Sequence, residues 1–207
     1  MYRDRSDAGR ALAKKVLAMR IESPLVLAIP RGGVVVAREI ASALGSELDI
    51  VLTRKIGAPF DPEYAVAAVD PDGELTRWRG DYPGIDESYI QEQAAIKRRE
   101  ILERLASLRE GRPEKDPFGR TVLLVDDGLA TGLTALAAIK YLRKKQPSKI
   151  ILAVPVAPED TLQNLASYLD GIICPLTPSV FYAVGQWYDS FEQVRDEEVK
   201  KILKDFA

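Results

Sequence analysis

The sequence of 207 residues contains no histidine and a single cysteine, Cys174. Without histidine there can be no histidine-based triad, no histidine-ligated metal and no imidazole proton shuttle. Catalysis, if present, must draw on carboxylates, lysine, arginine, tyrosine, backbone amides or a metal held by oxygen. One cysteine cannot close an internal disulfide. No run of 18 apolar residues is available to span a bilayer, and the opening MYRDRSDAGRALAKK lacks the apolar core of a signal peptide. A soluble, cytoplasmic protein with no membrane partner is therefore expected. Charge of either sign is not in excess: 29 Lys plus Arg face 31 Asp plus Glu, a net charge of -2, so no global field recruits nucleic acid. What the chain does have is 46% hydrophobic and 29% charged residues. That is an ordinary globular composition, at a length where roughly 70% of the unfolded surface can be buried.

Periodicity gives the coarse organisation. Leu12, Val16, Leu17 and Met19 fall at helical spacing over 7–20, and the helix ends before Ser23-Pro24. The apolar run 24–29 predicts a strand, followed by Pro30-Arg31-Gly32-Gly33 and a helix over 34–44 that Gly45 stops. A second strand over 48–53 runs into Arg54-Lys55. Between 57 and 120 the alternation breaks: residues 65–69 and 74–78 flank Pro71-Asp72-Gly73 as a hairpin. A long charged helix over 86–109 then carries an apolar stripe of Ile90, Ala94, Ile101, Leu105 and Leu108. This stretch reads as an insertion and not as a crossover. Strand 121–125, helix 132–145, strand 149–154, helix 159–168 and strand 171–174 restore the alternation. Residues 175–207 add an aromatic loop, FYAVGQWYDSF, and an amphipathic terminal helix. The pattern predicts an α/β fold, a parallel sheet flanked by helices, in a single domain over 1–207.

In open α/β sheets ligands bind at the carboxyl ends of the strands, so the loops after residues 29, 53 and 125 should converge. The third, inside VLLVDDGLATGLT, is the most informative. Gly128 and Gly132 let the backbone curl, and the following helix offers free amides and a positive dipole end to a phosphate. Thr131 and Thr134 add hydroxyl donors. Phosphate alone would repel Asp126 and Asp127, so these carboxylates call for a ribose diol or a hydrated Mg²⁺ beside it. A 5-phosphoribosyl group has both halves. The segment is neither a P-loop, since GxxxxGK[ST] is absent and Leu133 stands where a lysine would be needed, nor a GxGxxG dinucleotide turn. Arg31, with the amides of the glycine turn, can face an anion, and Arg54 and Lys55 bring two cations to the same rim. The basic runs Lys97-Arg98-Arg99 and Arg143-Lys144-Lys145 read as solvated helix surface outside that rim.

VLLVDDGLATGLT resembles the phosphoribosyl pyrophosphate signature of type I phosphoribosyltransferases: apolar residues, two acidic ones, then a small-residue loop ending in TGxT. The resemblance implies that Asp126 and Asp127 hold the ribose hydroxyls and Mg²⁺, directly or through water. It implies that Gly128, Leu129, Ala130 and Thr131, with Gly132, Leu133 and Thr134, wrap the 5′-phosphate. Arg31, Gly32 and Gly33 become the pyrophosphate loop. Arg54 and Lys55 begin a flexible loop that closes over pyrophosphate, opening the insertion at 57–120. The region 175–207 becomes the hood, in which Tyr182 and Trp187 are the candidates for stacking on an acceptor base. Arg31, Arg54, Lys55 and Asp127 are the expected catalytic residues. The implied reaction transfers ribose 5-phosphate from phosphoribosyl pyrophosphate to a nitrogenous acceptor, and a homo-oligomer, a dimer, is expected. Where 6-oxopurine enzymes of the family carry an aspartate, this chain has Ala130, which argues against guanine or hypoxanthine as acceptor. IPRGG, TRKIGAP and VGQWY extend the likeness to a group of stand-alone phosphoribosyltransferase-like proteins. The rival reading is a non-catalytic regulator that senses phosphoribosyl pyrophosphate or a nucleotide in the same pocket.

Overall fold

The computed structural model describes residues 1–78, 82 and 84–206; Arg79, Gly80, Asp81 and Pro83, within the 57–120 segment, and Ala207 lie outside the described residues. The first helix, α1 (Arg5–Ala18), starts where the Asp4 carboxylate accepts the Asp7 amide at 2.7 Å. β1 (Leu25–Ala28) is buried along its whole length and leads through Pro30-Arg31 into α2 (Gly32–Leu44). Gly45, with a φ of 61°, ends α2 in the left-handed conformation that glycine adopts without strain. β2 (Leu48–Ile50) follows, shorter than the 48–53 strand the sequence suggests, because the chain turns at Thr53 into a second sheet.

That second sheet consists of β3 (Arg54–Ala58), β4 (Asp61–Val69) and β5 (Leu75–Thr76), all antiparallel. The hairpin around Pro71-Asp72-Gly73 is present, with Val69 opposite Leu75 and Ala68 opposite Thr76. The pairing of β3 with β4 was not legible in advance; it has Pro59 in its turn and Pro62 near the start of β4, and is broken by register shifts on either side of Gly57. Then α3 (Glu87–Arg109), capped by the Asp86 carboxylate, leads to β6 (Thr121–Val125), α4 (Leu133–Lys144), β7 (Lys149–Ala153), α5 (Glu159–Ala166) and β8 (Gly171–Ile173). A short 3-10 turn (Val184–Trp187) and α6 (Asp196–Asp205) finish the chain.

The main sheet is parallel, in the order β2-β1-β6-β7-β8. On one face the apolar stripes of α1, α2, α3 and α6 pack together, including Leu12, Ile40, Ile101, Leu105 and Ile202; on the other, α4 and α5 bury Leu136, Ile139, Leu142 and Leu165. The order corrects one expectation. β2 and β6 flank β1, so the segment between them joins two parallel strands of one sheet, and α3 is its crossover helix rather than part of an inserted unit. The small sheet sits between the two layers, with Ile56, Val66 and Ala67 in the α3 cluster and Ala68 against Leu133 and Ala137 of α4. No helix among the described residues is long and apolar enough to cross a membrane.

Candidate functional site

β1 and β6 are neighbours with Ala28 beside Val125, so the loops that follow them leave the sheet side by side. Close approach is built into the first loop. A Cβ on Gly32 would lie 1.8 Å from Asp127 Oδ2, and one on Gly33 would lie 2.9 Å from Val125 O and Asp126 Cα. Only hydrogen at these two positions lets the start of α2 press against the acidic pair. The peptide between Pro30 and Arg31 is cis.

A cleft of about 650 Å³ opens over this junction, lined by Arg31, Gly32, Arg54, Lys55, Asp126, Asp127 and Thr134 among others. A second hollow of about 290 Å³ is formed by Gly128, Leu129, Ala130, Thr131, Gly132, Leu133 and Thr134 together with Glu63 and Ala65. The two share Lys55, Asp126 and Thr134. Gly132 holds a φ of 72° as the cap of α4, and Leu129 and Leu133 send buried side chains into the core, which leaves the turn to present its backbone. The turn is braced from outside by Thr161, whose hydroxyl donates to Ala130 O at 2.6 Å, and by Thr53, whose hydroxyl donates to Thr134 O at 2.9 Å.

The two carboxylates differ in their surroundings. Asp126 Oδ1 accepts the Asp127 amide at 2.8 Å. Burial at the floor of the cleft, and then the adjacent Asp127 charge, push the Asp126 carboxyl well above the usual carboxylate range. Burial raises Asp127 as well, against the pull of Arg5, whose Nε lies 2.6 Å from Asp127 Oδ2. Tyr188 donates its hydroxyl to the Asp127 carbonyl. The sequence pattern gave no reason to single out Arg5, which comes from a helix 122 residues upstream. The Asp127 side chain is 15% exposed and ion-paired.

The cations facing the acidic pair are held by counter-charges. Arg54 lies 2.9 Å from Glu100, Lys55 lies 2.6 Å from Glu63, and Arg31 lies 3.8 Å from Asp196. Lys97, read from sequence as solvated surface, instead lines the cleft with Tyr89 and Gln93, one turn of α3 apart each, and shares Glu100 with Arg54. The other basic run does lie outside the cleft but is paired and not merely solvated: Lys144 reaches Asp70, Asp72 and Glu74, and Arg143 reaches Asp170.

Tyr182 and Trp187 are not brought to either cavity. Tyr182 is 86% exposed, and Trp187 stacks on Phe181 with ring centroids 6.4 Å apart. The residues of the 175–207 segment that do touch the site are Val184, packed against Gly128, and Tyr188 and Phe191, packed against each other. Cys174 is not poised as a nucleophile: burial pushes its thiol up to about 11.

The family description "Phosphoribosyl transferase domain" matches residues 3–184. A Mycobacterium tuberculosis protein that carries the provisional name phosphoribosyl transferase is 39% identical over 218 residues, an alignment covering 100% of this chain and 48% of that protein. The chain thus spans about half the length of the curated relatives it matches. Among solved structures, TT1426 from Thermus thermophilus superposes with a TM-score of 0.86 at 41% identity, covering 100% of this chain and 99% of that one. AQ2163 from Aquifex aeolicus, at 14% identity and a TM-score of 0.51 over 87% of this chain and 78% of its own, shows the shared fold alone. With the acidic pair, the glycine-rich cradle and the parallel sheet all lying inside the matched span, the chain belongs to the phosphoribosyl transferase domain family.

Proposed function

We propose that the protein transfers ribose 5-phosphate from phosphoribosyl pyrophosphate to a ring nitrogen of a nitrogenous acceptor, a nucleobase, with release of pyrophosphate. The observation that carries this reading is the position of Asp126, where a hollow lined by the 128–134 turn on one side meets a cation-lined cleft on the other. A ribose bearing one phosphate at C5 and a pyrophosphate at C1 has that same order of charges. Amides of the 128–134 turn and the N-terminus of α4 hold the 5′-phosphate as a fixed handle. Asp126 and Asp127 accept hydrogen bonds from the ribose hydroxyls, and their negative charge suits the positive charge that develops on the sugar as the C1–oxygen bond breaks. Arg31, Arg54 and Lys55 neutralise charge gathering on the departing pyrophosphate, and Lys97 stands close enough to join them. No step needs histidine.

The carboxylate pair also fits Mg²⁺, which binds through one or two carboxylates plus substrate phosphate oxygens and needs no all-protein cage. Burial and the neighbouring Asp127 disfavour negative charge on Asp126, and a divalent ion would offset that cost. When bound, such an ion supplies charge neutralisation to the pyrophosphate. Ala130 at the lip of the cradle is small and uncharged, which favours acceptors other than guanine or hypoxanthine.

The test is pyrophosphate release from labelled phosphoribosyl pyrophosphate in the presence of Mg²⁺, against a panel of purines, pyrimidines and simpler amines. Release with at least one acceptor is expected. Tight binding without release from any of them would replace the enzyme by a sensor of the same ligand.

A further inference from the structure

We propose that Arg5 is a positioning residue for Asp127, tying the ribose-binding carboxylate to the hood; the inference rests on the phosphoribose reading above. Three fixed points hold the guanidinium. Its Nε donates to Asp127 Oδ2 at 2.6 Å, its Nη1 donates to the Glu192 carbonyl at 2.7 Å, and its plane lies over the Phe191 ring at 3.7 Å from the centroid. The side chain is only 11% exposed. Such a grip uses the planar, forked geometry of arginine, and the point charge of lysine cannot reproduce it.

The arrangement determines how Asp127 can serve a ligand. With Oδ2 committed to Arg5, the carboxylate is locked at one orientation and one oxygen remains for the cleft it lines. Gly32 shows how little slack there is, since a Cβ there would also lie 2.6 Å from Arg5 Nε. Tyr188, which packs on Phe191, donates to the carbonyl of the same aspartate. The start of α1, the end of β6, the pyrophosphate-side loop and the hood therefore meet at one ion pair. Arg5 touches no reacting atom in this scheme; it acts through Asp127.

A double-mutant cycle reads that dependence directly. Phosphoribosyl pyrophosphate affinity in the presence of Mg²⁺ is measured by calorimetry for the wild type, Arg5→Met, Asp127→Asn and the double variant, with thermal unfolding of each as a folding control. Arg5→Met is expected to weaken binding by ~10–100-fold, the range for groups that orient a ligating residue. In the Asp127→Asn background the same change should have little further effect, because the group it orients is already impaired. Arg5→Lys should recover only part of the loss, and where turnover is measured, KM for phosphoribosyl pyrophosphate should rise more than kcat falls. Should Arg5→Met not fold, Arg5→Lys with Asp127→Asn completes the same cycle. Independent, multiplying losses from the two substitutions, or wild-type affinity in Arg5→Met, would overturn the positioning role while leaving the phosphoribose reading intact. Failure of the wild-type protein to bind phosphoribosyl pyrophosphate would overturn the functional reading itself, and this inference with it.

Discussion

Gly32 illustrates how much of the site is decided by single atoms. Its missing side chain is what allows Asp127 and Arg5 to pass beneath the first turn of α2, and the added methyl of an alanine would overlap the Asp127 carboxylate at 1.8 Å. Gly32→Ala is expected to destabilise the protein by about 1–3 kcal/mol, the usual cost of overpacking, and to weaken phosphoribosyl pyrophosphate binding by displacing the acidic pair. Chemical denaturation and calorimetry on the same preparation check both effects; unchanged affinity would mean that the carboxylates can shift without loss. Asp127 is a similar case. Its partner Arg5 makes it a member of a shielded ion pair, so its removal leaves a cation unpaired and affects the fold as well as the ligand. The pair could not be read from sequence, because nothing local to VLLVDDGLATGLT signals an arginine 122 residues away.

At the scale of elements, β3 and α3 form the wall opposite the acidic pair. β3 supplies Arg54 and Lys55, while successive turns of α3 supply Tyr89, Gln93 and Lys97. Glu100 joins the two elements by pairing with both Arg54 and Lys97. Lys97 pulls Glu100 below the usual carboxylate range, with Arg54 helping. The two cations are thus kept beside the cleft by a counter-charge that a more highly charged anion can replace. Lys97→Met should weaken product inhibition by pyrophosphate by about tenfold, the lower end for a lost charge-assisted hydrogen bond, while ribose 5-phosphate binding changes little. Equal weakening of both ligands would place Lys97 elsewhere in the binding scheme. The apolar stripe on α3 was visible in its spacing, and it does face the core. Its cleft-facing polar residues were not, since a charged helix looks alike on every solvated side until its partner strand is known.

For the molecule as a whole, the site opposes the stability of the fold. A carboxyl whose folded-state pKa is raised keeps its proton longer in the folded chain than in the unfolded one. It favours folding under acid, and that contribution is lost as pH climbs from the ordinary 3.8 through the raised value; Asp126 and Asp127 both have this sign. Glu47 and Glu100, lowered by Lys115 and Lys97 respectively, have the opposite sign and lose their contribution on acidification below about 4.5. Asp126→Asn should therefore stabilise the ligand-free protein at neutral pH, with an advantage over wild type that widens as pH rises from the ordinary carboxylate range towards neutrality in denaturant titrations, and should abolish ribose binding. A constant difference across that range would show that Asp126 ionises as freely folded as unfolded.

The alternation of apolar runs and amphipathic stretches was enough to specify the parallel α/β sheet, because burial on both faces leaves a strand no polar positions and a helix only one apolar stripe. The signature at 122–134 was recognisable for the same local reason: its glycines, threonines and acids are neighbours in the chain, on β6, the turn after it and the start of α4. Three things waited for the tertiary structure. The β2-to-β6 crossover made α3 a wall of the cleft, the packing of β3 on α3 set Arg54 beside Glu100, and Arg5 closed on Asp127. Each joins residues far apart in sequence, where no periodicity or spacing constrains which partner is met, and only the packing of the whole sheet with its helices does.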